Sequence, residues 1–201
     1  MIAFRTKAQT LEALEPLVKK SRILPQIRFT VDEYRAARAQ TIKRMEQFAD
    51  GGSVIVRSSA LGEDSASESK AGQFLSVADV RGAQALGEAA DRVADSFTDG
   101  DGRNMIFVQP MLKDICLSGV VFTADPNTLG NYYVINYDDS TGSTSSVTSG
   151  AGDALQTYYL FHKAACGVSK LCPVIEAVRE LESLFVSTPL DVEFAVDGNG
   201  T

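Results

Sequence analysis

Val54-Ile55-Val56-Arg57-Ser58-Ser59-Ala60 is the stretch on which the reading of this chain turns. A short β-branched run delivers an arginine and two hydroxyls into small residues. That arrangement suits an anion better than a core, because the strand fixes the guanidinium while the loop backbone closes over charge. The next residues are small and polar, including Gly62, Glu63, Asp64, Ser65, Ser67, Glu68 and Ser69. Ala71-Gly72-Gln73 follows, and Phe74-Leu75-Ser76-Val77 reads as a returning strand. A long loop between paired strands is either an open surface tip or a lid over a ligand. The working hypothesis is a triphosphate site.

Composition narrows the partners. With 201 residues, 44% hydrophobic and 22% charged, the chain reads as an ordinary globular protein of one large domain or two small lobes. No apolar run approaches the ~18 residues of a membrane span, and Met1 to Lys7 lacks the apolar centre of a secretion signal. The expected compartment is the cytoplasm, with no membrane partner. A net charge of -7 argues against nucleic acid, whose binding needs clustered Lys and Arg. Cys116, Cys166 and Cys172 are odd in number, lack metal-type C-x-x-C pairing and are read as reduced thiols.

Working outward towards the N-terminus, Leu11, Leu14, Leu17 and Val18 predict a helix over Thr10 to Lys20 with Thr10 as N-cap and Lys7 just before it. Ile23 to Phe29 is a turn into a short strand. Thr30-Val31-Asp32-Glu33 carries a capping-box pattern for a second helix to about Phe48, stopped by Asp50-Gly51-Gly52. Towards the C-terminus, Gln84 to Phe97 is helical, and Met105 to Met111 is a buried strand ending at a proline. With Gln109 and Met111 near its end, the strand has two readings: a flat apolar wall with backbone hydrogen bonds for a purine ring, or a core strand in which Met111 is filler. Strands are expected over Leu117 to Thr123, Tyr132 to Tyr137 and Gln156 to Lys163. Asp138 to Gly152 is a Ser, Thr and Gly-rich loop, and Pro173 to Phe185 is an amphipathic helix. In Asp191-Val192-Glu193-Phe194 the period of two places Asp191 and Glu193 on one face, a costly pair to bury unless it meets a cation. The turn Asp197-Gly198-Asn199-Gly200 has no return strand before Thr201, so the expectation is a piece of a longer polypeptide. Arginine loop, polar lid, purine strand and paired acids form the set that phosphoryl transfer needs, and no Walker-type glycine-lysine loop is present.

Three stretches together carry a family resemblance: Val54 to Ala60 with Glu63-Asp64 and Ala71-Gly72-Gln73; Ser118-Gly-Val-Val-Phe-Thr-Ala-Asp-Pro126; and Asp191-Val-Glu-Phe-Ala-Val196. They resemble, in order, the signatures of the ATP-binding domain of phosphoenolpyruvate synthase and pyruvate phosphate dikinase. The resemblance implies an α+β, ATP-grasp-like domain of two lobes, with antiparallel-rich sheets and packed helices holding nucleotide between them. Residues 1–104 would form the N-terminal lobe with the arginine loop, and 105–201 the grasp lobe ending in the acidic strand. It implies ATP and Mg²⁺ as cofactors and a swivelling domain elsewhere in the protein, whose phosphohistidine passes the phosphoryl group to pyruvate or another small acceptor. By the same resemblance Arg57 and Glu193 are catalytic. Lys7, Arg57, Ser58, Ser59, Gly72, Gln109, Met111, Asp191 and Glu193 bind nucleotide, with Asp191 and Glu193 near the metal.

Arg5-Thr6 stands where the family has Gly-Gly before its lysine, and the segment between Tyr34 and Val54 is shorter than usual. Without the strand after the acidic pair and the histidine domain, the chain alone should not complete a catalytic cycle. The Tyr137 to Gly152 loop is similar to that of compact relatives in surface-polysaccharide clusters, one branch of which phosphorylates the glutamine side-chain amide. Other readings are an ATP-dependent carboxylate ligase and a non-catalytic interaction module. The only histidine, His162, lies in an aromatic strand context that favours a structural role over phosphoryl acceptance.

Overall fold

Thr30 shows how local chemistry sets an element boundary. Its hydroxyl accepts the Glu33 N–H at 3.1 Å, while the Glu33 carboxylate accepts the Thr30 N–H at 2.8 Å, the reciprocal pair that opens a helix. The computed structural model describes residues 2–61, 75–140, 155–185 and 189–198. In it this box joins strand β1 (Ile27–Thr30) to helix α2 (Val31–Ala36). The single helix expected to run to Phe48 is two, because Ala37, at φ -135° and ψ 43°, leaves the helical region and α3 (Arg38–Ala49) starts afresh. Asp50 at φ 44° and Gly51 at φ 72° end α3 where the turn signal places its stop.

The chain divides into two compact units. The first comprises Ala3–Pro16 and Ile23–Met111. It also holds α1 (Lys7–Leu14), β2 (Val54–Ser59), β3 (Ser76–Val80), α4 (Gly82–Asp95) and β4 (Met105–Pro110), with an antiparallel sheet in the order β1-β4-β2-β3. The division falls after Met111 rather than between residues 104 and 105, since β4 is hydrogen-bonded between β1 and β2. Helix α1 is shorter and earlier than the Thr10 to Lys20 expectation. Its cap is Thr6, whose side chain accepts the Gln9 N–H at 3.4 Å, and Pro16 lies just past its end.

Phe29, Val54, Val56, Ile106 and Val108 from the sheet pack with Tyr34, Met45, Leu86, Ala90 and Val93 from the helices. Tyr34 donates its hydroxyl to Asp91 at 2.6 Å and lies 3.1 Å from the Gly87 carbonyl, while Arg38 reaches the same carboxylate at 2.6 and 3.1 Å. This network ties α2, α3 and α4. Burial and the Asp91 carboxylate push the Tyr34 hydroxyl up, and the Arg38 hydrogen bonds hold Asp91 below its ordinary 3.8. On the far edge, β3 pairs Val80 with Val54 but Val77 with Val56, so an extra residue bulges there, and Asp79 takes φ 56°.

The second unit comprises Met1–Ile2, Leu17–Arg22 and Leu112–Thr201. It holds β5 (Ile115–Phe122), β6 (Tyr132–Asp138), β7 (Gln156–Phe161), a 3₁₀ turn (Ser169–Leu171), α5 (Cys172–Leu184) and β8 (Asp191–Asp197). The strands form an antiparallel sheet in the order β7-β6-β5-β8. Leu117, Val121, Tyr133, Ile135 and Leu160 bury one face against Leu171, Val174, Ile175 and Val178, with Val192, Phe194 and Val196 packed alongside. Gly119 lies on that face under the Phe194 ring. A Cβ there would sit 2.4 Å from the Asn136 carbonyl oxygen and 2.7 Å from the ring. No described helix is long and apolar enough to cross a membrane.

Gly119→Ala is expected to lower unfolding stability by about 1–3 kcal/mol, through the displacement of Phe194 or of the β6 carbonyl, measured by chemical denaturation. A second outcome concerns acid. Because the folded-state value of Asp91 is depressed, its contribution is present above the ordinary carboxylate value of 3.8 and is lost as pH falls through the lower folded value. Asp91→Asn should therefore flatten the fall of stability with pH below 3.8 relative to the parent protein, read from denaturation midpoints across an acid series.

Candidate functional site

Strand periodicity sorts the candidate residues before any ligand is considered. Val54 and Val56 of β2, and Ile106 and Val108 of β4, enter the core shared with α3 and α4. Ile55, Arg57 and Ser59, with Met105, Phe107 and Gln109 in register across from them, therefore take the other face. Arg57 stands opposite Phe107, its guanidinium carbon 5.6 Å from the ring centroid, so a fully buried ring gives the cation a flat floor.

Ser59, which has no exposure, accepts a hydrogen bond from the Ala8 N–H at 3.0 Å. Ala8 is the second residue of α1 and Lys7 the first, half-buried. One bond thus ties the end of the strand carrying Arg57 to the helix start carrying Lys7, where the helix dipole adds further positive character. Gln109, 6% exposed, sits two residues beyond Phe107 on the same face, opposite Ile55. Met111 follows β4 and donates its N–H to the Ser53 carbonyl at 2.9 Å.

Ser58 departs from its neighbours. It shares the face of Val54 and Val56, is 4% exposed, and its hydroxyl has no hydrogen-bond partner among the described residues. The run Arg57-Ser58-Ser59 is split by the alternation of the strand, with Ser58 turned to the core. Gly72 lies outside the described residues. Sequence reasoning misses Arg28. It stands on β1 opposite Phe107 in register, on the Arg57 face, and its guanidinium meets Glu12 of α1 at 2.6 Å. The available signal was the alternation Ile27-Arg28-Phe29.

In the second unit β8 alternates as expected. Asp191 and Glu193 are exposed, while Val192, Phe194 and Val196 pack inward. Glu193 stands opposite Val120, which in turn stands opposite Asn136; Asp191 stands opposite Phe122. The Asn136 side-chain carbonyl accepts the Thr157 hydroxyl at 2.9 Å. Asp138, two residues past Asn136 and 3% exposed, pairs in register with Ser118 and accepts the N–H and hydroxyl of Ser140, each at 2.8 Å. Among the described residues, no group of three or more His, Cys, Asp or Glu is gathered for a metal. The two β8 carboxylates are hard oxygen donors of the kind that share a small divalent cation with water and phosphate.

The segment Ser118 to Pro126 works as scaffold around this strand. Thr123 accepts the Leu190 N–H on its hydroxyl at 2.8 Å and donates its own N–H to the Leu190 carbonyl at 2.9 Å, which sets the start of β8. Asp125 accepts the N–H groups of Thr128 and Asn127 at 2.9 and 2.8 Å, and these bonds hold its carboxyl below the usual range. His162 directs Nε2 at the Thr123 carbonyl at 2.8 Å and stacks on Tyr133 with ring centroids 4.1 Å apart. Facing a carbonyl, that nitrogen must carry a proton, and the imidazole is occupied as a brace.

Residues 7–168 match the family described as pyruvate phosphate dikinase, AMP/ATP-binding domain. Among solved structures, D-alanyl-alanine synthetase A from Vibrio cholerae O1 biovar eltor str. N16961 shares the fold with a TM-score of 0.50 at 11% identity. The match covers 96% of this chain and 51% of that one, so the chain spans about half the length of that enzyme. No curated protein sequence matches the chain. The α+β, ATP-grasp-like architecture expected from the sequence is the one found. With four-fifths of its residues inside the matched region, the chain belongs to the pyruvate phosphate dikinase family of AMP/ATP-binding domains.

Proposed function

We propose that the chain is the ATP-binding part of a cytoplasmic phosphotransferase of the dikinase type. In this reading ATP phosphorylates a histidine on a separate domain, which carries the group to pyruvate or another small acceptor. The observation that carries the reading is the Ala8–Ser59 bond, which brings the cationic start of α1 to the end of the Arg57 strand within the matched family region.

Each role follows from charge and placement. Arg57, backed by Phe107, presents a planar guanidinium with several N–H donors to phosphate oxygens, and Lys7 with the first N–H groups of α1 supplies a second cationic contact. Ser59 fixes α1 rather than touching ligand. Gln109 sits on the strand assigned to the purine, and Met111 lies just past its end. The Asp191 and Glu193 carboxylates would hold Mg²⁺, whose contribution is to offset negative charge on the phosphates. The nearly buried Gln109 can donate to and accept from a base edge without carrying charge into the site.

Mg-ATP is expected to raise the melting temperature of the 201-residue chain. At a concentration of 100 times the dissociation constant, binding adds about 2.7 kcal/mol of stability. Arg57→Ala and Glu193→Ala should each remove most of the shift, while Ser58→Ala leaves it in place. An unchanged melt of the parent chain at millimolar nucleotide overturns the reading. In the full-length protein, acid-labile phosphate on a histidine supports the dikinase route, whereas an acyl phosphate would mark a ligase.

A further inference from the structure

Two of the three cysteines are gathered at one turn, and neither has been given a role above. Cys172 opens α5, and its sulfur lies 3.3 Å from the Val168 carbonyl oxygen and 3.5 Å from that of Cys166. The Cys166 sulfur lies 3.4 Å from the same Val168 oxygen. Two thiols thus converge on one carbonyl, and both are partly exposed. The surrounding chain holds them there. Leu171, between them, is fully buried, and Arg179 clamps the carbonyls of His162 and Ala164 at 3.0 and 3.2 Å on the approach to Cys166. Cys116 stands apart on β5, exposed, with its sulfur against the carbonyls of Val196 and Asp197.

We propose that Cys166 and Cys172 are a dithiol site that closes to an intramolecular disulfide by exchange with a low-molecular-weight disulfide. Cys166 loses its proton and attacks one sulfur of that disulfide, forming a mixed disulfide and expelling one thiolate, which takes up a proton. Cys172 then loses its proton and attacks the Cys166 sulfur, expelling the second thiolate. One small disulfide and two protein thiols become one protein disulfide and two small thiols. The hydrogen bond with Cys166, and then burial, push the Cys172 thiol up, which is in keeping with its attacking second; the order itself is what the trapping variant below reads out.

The ring so closed includes Lys170, whose ammonium pairs with Asp139 at the end of β6 and lies 4.8 Å from the centre of the Tyr137 ring. Oxidation therefore fixes the turn that holds the end of β6. This inference stands independently of nucleotide binding.

The test incubates the native 201-residue chain with glutathione disulfide, quenches with acid, and maps the peptides by mass. The expected result is a peptide linked between Cys166 and Cys172, with glutathione retained on Cys116 alone. In Cys166→Ser the linked peptide disappears, and Cys172 either stays reduced or keeps a glutathione adduct. Stable glutathione on Cys166 or Cys172 of the parent chain overturns the proposal, as does continued alkylation of both thiols after Cys116 has reacted to completion. Cys172→Ser supplies the second check, since it should trap the mixed disulfide on Cys166. Failure to trap it there overturns the assigned order of attack.

Discussion

Each sheet in this protein commits one face to helices, and that constraint governs where charge can go. Residues along a strand alternate sides, so a strand that gives every second position to the core must present the others elsewhere. In the first unit, Val54, Val56, Ile106 and Val108 satisfy α3 and α4, and the guanidinium of Arg57 is left to the far face with Phe107 and Gln109. In the second, Val192, Phe194 and Val196 satisfy the core, and the carboxylates of Asp191 and Glu193 are turned the other way. Burying any of these ions without a partner would cost several kcal/mol, so the alternation protects stability and at the same time gathers the charged side chains on the face away from each core.

Much of this was legible in the sequence because local rules and tertiary packing agree. Thr30 and Glu33 form the expected capping box, Asp50-Gly51 stops α3, and the acidic and apolar residues of β8 separate as period two requires. Expectation and structure part where two local signals compete. Thr6 and Thr10 are both suitable caps, and Thr6 prevails; the Thr10 hydroxyl instead accepts the Arg5 N–H at 3.1 Å. No proline or glycine marks the break at Ala37, so the apolar spacing ran through it unchecked. A lone arginine in a four-residue strand, as Arg28 is, resembles an ordinary surface charge until its register against Phe107 is known.

Residues that identify a family need not be the ones that touch its ligand. Thr123 and Asp125 of the second signature spend their hydrogen bonds on Leu190, Asn127 and Thr128, and Gly119 is demanded by the Phe194 ring. Thr123 and Gly119 set the start and height of β8, and through it the positions of Asp191 and Glu193, while Asp125 closes its own turn. His162 belongs to the same bracing, with one ring nitrogen on Thr123 and its backbone carbonyl held by Arg179. Sequence pattern alone does not separate such supports from ligand contacts, because both require a fixed side chain at a fixed place.

The bulge in β3 bears on behaviour at high protein concentration. A sheet ending in a long, flat strand offers a row of unused N–H and carbonyl groups on which another molecule can template its own strand. Here the outermost strand on one side is kinked at Asp79, and the one on the other side, β1, is only four residues long and runs straight into a helix. Both margins of the first sheet are thereby blunted, so edge-to-edge polymerisation through this unit is disfavoured by backbone geometry rather than by repulsion between surface charges.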